Sequence, residues 1–247
     1  MTQEKPTVRS VERALDILLL FRRQREMSLT DIAKQLGLHK STVYRLLQAL
    51  EQRQFVQRDP STDKYRLGNS IWDLASSVGQ EEWTDLLLPE MRKLRDTVGE
   101  TISLYIKSGL ERVRIQAVQS TQEIRRVVRI GDRFPLFGGA SSKVLLAYST
   151  PEEQQAVFDH PEFPADWSKE RLKDELQFVR EQGYAYSLGE REPEAAAVSA
   201  PIYKGKEVVA ALAISGPVQR FTPEKIQWFA EQVKAAAAQM SRMLQFH

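Results

Sequence analysis

Lys40, Ser41, Thr42, Tyr44, Arg45 and Gln48 lie within one nine-residue stretch, and together they carry the donors that grip phosphates and read base edges. Arg meets guanine through two parallel N–H groups, Gln pairs with adenine, and hydroxyls, Lys and a helix N-terminus hold phosphate. Ser41, Tyr44, Arg45 and Gln48 recur at helical period, with Lys40 and Thr42 in the same first turn. That face would equally serve as the solvated surface of an ordinary helix, so the neighbouring segments decide.

The elements that must position these side chains are readable on either side. Val43, Leu46, Leu47 and Leu50 form the apolar stripe of the same helix, and Leu29, Ile32, Ala33 and Leu36 form one on the segment before it. Ser28 with Asp31 is a capping box for that earlier helix, and Gly37 supplies the left-handed turn that makes the two helices cross. Upstream, Val11, Ala14, Leu15 and Leu18 predict a supporting helix that ends near Phe21 in the basic run Arg22, Arg23, Arg25. Downstream, Phe55 to Arg58 and Lys64 to Leu67 flank the turn cluster Asp59 to Asp63, which predicts a hairpin. In its second strand Tyr65 and Leu67 should face inward and the cations Lys64 and Arg66 outward. Three helices and such a wing make a winged helix-turn-helix over residues 1–70.

Charge supports the placement. Residues 1–70 hold 13 Lys and Arg against 8 Asp and Glu, a balance of +5, whereas the remainder holds 22 against 25, or −3. At 247 residues and 42% hydrophobic content the chain can bury a core in each of two domains. With no cysteine there is no disulfide, thiolate metal site or cysteine nucleophile, and His39, His160 and His247 are too scattered to suggest zinc. The N-terminus has no apolar signal region, and the longest apolar run, Val208 to Ile214, is too short for a bilayer. A cytoplasmic protein without a membrane partner is expected.

Ile71, Leu74, Ala75 and Val78, then Leu87, Met91, Leu94 and Val98, predict linker helices over 71–98, interrupted near Gly79 and Pro89. Trp72 and Trp83 there suit either a subunit interface or the domain's own core. From residue 99 the period changes. Strands are expected at Thr101 to Lys107, Arg112 to Gln119, Arg126 to Ile130, Tyr184 to Ser187, Val198 to Tyr203 and Glu207 to Ser215. Helices are expected at Ser141 to Ala147, Pro151 to Phe158, Ser168 to Gly183, and from Thr222-Pro223 to about Leu244. Residues 99–247 are thus a second, α+β domain, with no internal repeat.

Three blocks at characteristic spacing, Val8 to Leu15, Lys40 to Leu47 and Tyr65-Arg66-Leu67-Gly68, resemble the N-terminal domain of IclR-family bacterial transcription regulators. Phe137 to Lys143, Gly183-Tyr184-Ala185, Ala200 to Tyr203 and Ala213 to Pro217 extend the resemblance over nearly the whole chain. It implies a winged-helix domain, a linker helix, and a GAF-like effector domain with an antiparallel sheet. It also implies dimers or tetramers that bind partly palindromic, double-stranded operator DNA under control of a small metabolite. Repressors are the commoner outcome in the family, and activators occur.

The segment Gly138 to Lys143 joins two glycines, which admit close approach, to a helix start that favours an anion. The same glycines would also make a tight strand-to-helix turn. The resemblance implies a ligand, commonly a small organic acid, at Gly139 and Ala140, with Ser141 in the same turn. Where some members carry an acidic residue, a cysteine and a serine, this chain has Ser187, Ala197 and Ala213, and Ser215 is retained. Fewer hydrogen-bonding groups predict a larger or more apolar acid, aromatic or branched. The acidic block Gly189 to Glu194 reads as a solvated loop. No cofactor motif is found: GxxxxGK[ST] is absent, and Ser141 and Ser142 have neither a GxSxG frame nor a histidine partner, so no enzyme is expected. Effector control would require different affinities for DNA-competent and incompetent arrangements, transmitted through the 71–98 helices.

Overall fold

A computed structural model describes residues 8–22, 24–77, 80–127 and 129–245, without the side chains of 72, 75–77 and 80–82. The readings placed on Arg23, Trp72, Ala75, Val78, Gly79 and His247 therefore lie outside the described residues. The chain divides into two compact units, Met1–Glu81 and Glu82–His247.

In the first unit, the residues Leu29–Leu36 (α2) and Lys40–Gln52 (α3) are the crossing helices, preceded by Arg9–Leu20 (α1) and the two-residue strand Met27–Ser28 (β1). Ser28 caps α2: its Oγ accepts from Asp31 N at 3.2 Å and donates to the Asp31 carboxylate at 2.6 Å. Gly37 ends α2 at φ +62°. Ser28→Ala is expected to cost about 1 kcal/mol, read from the first unit's transition in urea unfolding; an unchanged midpoint would mean the cap contributes nothing. The wing is Val56–Arg58 (β2) and Lys64–Leu67 (β3), and β1 joins it in a three-stranded antiparallel sheet of order β1-β3-β2. The helix Ser70–Ser77 (α4) follows.

Two details differ from expectation. In α1 the expected Leu18 does pack against the core, but Ile17 and, at the C-cap, Phe21 are what enter it with Ile32, Val43, Leu47, Val56 and Tyr65, whereas Val11, Leu15 and Leu19 stay more than half exposed. The helix has apolar residues on more than one face, so its period alone does not say which face is covered. In β3, Tyr65 is buried in the helical core but Leu67, on the same face at the strand's end, is exposed and not part of that core.

The helix Gln80–Val98 (α5), which belongs to the second unit from Glu82 onward, continues through Pro89. A proline inside a helix costs ~3 kcal/mol. Burial of Leu87, Met91, Leu94 and Val98 on one stripe supplies the opposing gain. Then come Thr101–Ser108 (β4), Glu111–Val118 (β5), Arg133–Pro135 (β6), Ala140–Ala147 (α6), Pro151–Phe158 (α7), Lys169–Gln182 (α8), Ala185–Leu188 (β7), Ala195–Lys204 (β8), Glu207–Pro217 (β9) and Pro223–Leu244 (α9). The strands form one six-stranded antiparallel sheet of order β6-β5-β4-β9-β8-β7. Alternation on β9 splits the core: Ala210, Leu212 and Ile214 pack with α5 and α9, while Ala211 and Ala213 pack with α6, α7 and α8. The sheet is therefore sandwiched between two helical layers.

The expected strand over 126–130 does not form. Its described residues are irregular, Val127 and Ile130 are exposed, and Val128 lies outside the description. The edge of β5 is taken instead by β6, with Arg112 opposite Phe134. No helix among the described residues is long and apolar enough to cross a membrane.

Candidate nucleic-acid interface and ligand pocket

α3 starts after His39, whose side chain makes no capping bond, and its first turn contains no acidic residue. By contrast, α2, α7, α8 and α9 are closed by the side chains of Ser28, Thr150, Ser168 and Thr222. The positive end of α3 is thus left uncapped, in the state that suits a phosphate. Lys40, Ser41, Tyr44, Arg45 and Gln48 are exposed and Thr42 is half-buried, while Val43 and Leu47 anchor the opposite face at 0% exposure. Gln48 Nε2 donates to Tyr44 Oη at 3.0 Å, so these two side chains act as one unit.

On the wing, Lys64 and Arg66 are exposed and two residues apart, hence on one face of β3. Arg58 is engaged elsewhere, paired with Asp63 and lying over the Tyr65 ring. The turn is stiffened by Asp59, whose Oδ1 accepts from Ser61 Oγ at 2.6 Å and Ser61 N at 2.8 Å. Those bonds hold the Asp59 carboxyl below the usual carboxylate range.

In the second unit Gly139, Ala140, Ser141, Ser187, Ala197, Ala213 and Ser215 surround one cavity. Strand register explains part of this: Ser187 lies opposite Ala197, and Ala197 opposite Ser215, in a row across β7, β8 and β9. Gly139 starts α6 at φ +92°, a conformation L side chains rarely adopt. Its N–H donates to Glu190 Oε2 at 2.9 Å, and Ala140 N–H donates to Ser187 Oγ at 3.2 Å. Glu190 also accepts from Lys143 Nζ at 2.6 Å. The block Gly189 to Glu194 is thus no simple solvated loop, since Glu190, Arg191 and Glu192 line the cavity.

Sequence reasoning also missed Tyr105, Arg112 and Arg126 on this wall. The alternation Arg112-Val113-Arg114-Ile115 did place two cations on one face of a strand, and that was the available signal. Arg112 is buried; its Nη1 donates to Gly138 O at 3.0 Å and Ser142 Oγ at 2.5 Å, and it stacks on Tyr105 and Phe134. Burial, reinforced by Arg191, Arg114 and Arg126, pushes its guanidinium down to about 10, still charged at neutral pH. Arg191 lies 3.7 Å over the Phe134 ring, and burial likewise lowers its pKa. Arg126 pairs with Glu192 at 2.8 Å.

The expectation of a more apolar pocket is therefore corrected. The sheet positions that lack polar groups are compensated by arginines from β5 and from the loops. The cavity is also small, about 40 Å³, far below the roughly 300–1,000 Å³ of a typical ligand site. Among the described residues, no three His, Asp or Glu are placed to hold a metal.

The family model for the IclR helix-turn-helix domain matches residues 10–60, and that for the bacterial transcriptional regulator IclR C-terminal domain matches residues 76–242. The chain belongs to the IclR family. IclR-family proteins are DNA-binding transcription regulators, not enzymes, and this chain is one of them. The HTH-type transcriptional regulator XynR of Escherichia coli is 34% identical, over 97% of this chain and 98% of its own. An IclR regulator from Alicyclobacillus acidocaldarius superposes with a TM-score of 0.82 at 28% identity, over 97% of this chain and 100% of that one. An IclR homolog from Microbacterium hydrocarbonoxydans, solved with 4-hydroxybenzoate, shares the fold at a TM-score of 0.85 and 23% identity, over 96% and 100%.

Proposed function

We propose that this IclR-family regulator is an effector-controlled repressor that acts in the cytoplasm on partly palindromic duplex DNA. The observation that carries the reading is the uncapped, acid-free start of α3 beneath an exposed row of Ser41, Tyr44, Arg45 and Gln48. Residues 1–70 form the DNA-binding domain, 71–98 the linker helices and 99–247 the effector domain. Lys40, Ser41, Thr42, Lys64 and Arg66 fix the protein on phosphates, while Arg45 and the Tyr44–Gln48 pair reach base edges. Pairing of two copies about a two-fold axis, as a dimer or within a tetramer, spaces half-sites by about 10 bp or multiples of it.

The effector is a small organic acid held at the cavity that Gly139, Ala140, Ser141, Ser187, Ala197, Ala213 and Ser215 surround. Support comes from the gathering of these residues at one site, and from the hydroxybenzoate bound by the Microbacterium homolog.

A duplex selected from a random library by the purified chain provides the test for DNA reading. Arg45→Ala is expected to cost roughly 1–3 kcal/mol on that duplex and to relax preference at one base position. Lys40→Ala should weaken all sequences alike and reduce the salt slope by about one. Wild-type affinity for both variants across a salt titration would rule this docking out.

A further inference from the structure

Arg112, Arg126 and Arg191 line the cavity, and Arg114 shares the Tyr105 and Phe134 rings with Arg112. Their counter-ions are unevenly distributed. Arg114 has Asp132 at 2.8 Å, Arg126 has Glu192 at 2.8 Å, and Arg191 lies 3.7 Å from the same Glu192. Glu190 is taken by Lys143 and by Gly139 N–H. For Arg112 the described residues offer only neutral acceptors, Gly138 O and Ser142 Oγ, and its buried Nε has no partner. A buried cation without a counter-ion is costly unless something else supplies the charge.

Two N–H groups of the helix start expected to receive an anion are already bonded. Gly139 N–H is bonded to a carboxylate of the chain itself and Ala140 N–H to Ser187. A side-chain donor left open on the wall is Arg112 Nε. Gly139 is what admits the guanidinium, because a Cβ there would stand 3.0 Å from both Nη1 and Nη2. A second open group faces the same cavity: Ser215 Oγ is buried and without a partner.

We propose that Arg112 is the residue of this pocket that recognises the effector's carboxylate, with Ser215 Oγ as a second polar contact. This rests on the cavity being the effector site. The guanidinium edge matches a carboxylate in plane, and a phosphate by the same geometry. The small cavity favours the flatter group.

Calorimetric titration of the full chain separates the possibilities, with lactate, gluconate, pyruvate, 4-hydroxybenzoate and inorganic phosphate as probes and the corresponding amides as neutral controls. At least one of the carboxylic acids should bind, with its amide and the R112Q variant each weaker by roughly 10- to 100-fold. R112K should retain part of the affinity, and S215A should also weaken binding.

Where R112Q fails to fold, the wild-type Arg112 Nε–H resonance, assigned by its loss in R112K, gives the answer: it should move with the acid and not with the amide. Equal affinity in R112Q, or a stationary Nε–H signal at saturation, would overturn the assignment while leaving the pocket as the effector site. Binding of phosphate alone would overturn the carboxylate class. Failure of every acid on the wild-type chain would overturn the effector-site reading and the Arg112 assignment with it.

Discussion

Arg220→Met should lower the stability of the second unit by about 3 kcal/mol, because it leaves the buried Glu100 carboxylate without its half-buried partner. Glu100 is 2% exposed, and Arg220 meets it in a fork, Nε to Oε1 at 2.5 Å and Nη2 to Oε2 at 2.7 Å. The same guanidinium donates to Ile124 O at 3.1 Å, which ties down the loop between β5 and β6. Gly216 lies beside the carboxylate so closely that a Cβ would collide with Oε2, so Glu100 has little room to turn away. Methionine keeps much of the stem and removes the fork. Urea unfolding of the full chain should show the second unit's transition shifted and the first unit's unmoved. The double variant Glu100→Gln with Arg220→Met should recover part of the loss, because the stranded charge is gone. A loss below about 1 kcal/mol would mean that water or another donor replaces Arg220, as for an exposed pair.

That ion pair spans residues 100 and 220, and no periodicity announces it. What the sequence does announce is local. The stripes of α2 and α3, the Ser28 cap and the Gly37 turn follow from spacing and side-chain chemistry, and they appear where those signals put them. Strands β4, β5, β8 and β9 were legible because eight or more residues carry β-branched and alternating character. β1 and β6, of two and three residues, have no period to read and exist only through their partners. Conversely, Val127 and Ile130 look like strand residues and lie in a loop, because β6 already occupies the edge of β5.

The candidate ligand cavity divides the same way. Ser187, Ala197 and Ser215 come together through sheet register, which follows once β7, β8 and β9 are placed. Arg112, Arg126, Arg191 and Glu190 reach the wall from β5 and from two loops, and which cation keeps a carboxylate depends on contacts tens of residues apart. The residues that the resemblance implied do line one cavity, but they left out the charged groups on its wall.

Gly68→Ala should destabilise the first unit by roughly 3 kcal/mol, at the upper end of the range for overpacking, although its backbone has no left-handed strain. A Cβ at Gly68 would collide with the backbone oxygen of Gln54 and stand 2.8 Å from Gln54 C and 3.2 Å from Phe55 C. None of these atoms belongs to a side chain that can swing aside. Gln54 itself sits at φ +57°, its oxygen accepts from Ser70 N at 3.1 Å, and Gly68 N donates to Phe55 O at 2.9 Å. The close approach is thus the clasp that joins the end of α3, the end of the wing and the start of α4. Relief of the collision must break one of those bonds or move β3 and with it Arg66. The expected result is an earlier transition for the first unit and weaker binding to every duplex, selected or random, while ligand affinity of the second unit is unchanged. Unaltered DNA binding and an unaltered transition in Gly68→Ala would show that the wing can shift freely, and Arg66 would then have no fixed place from which to hold a phosphate.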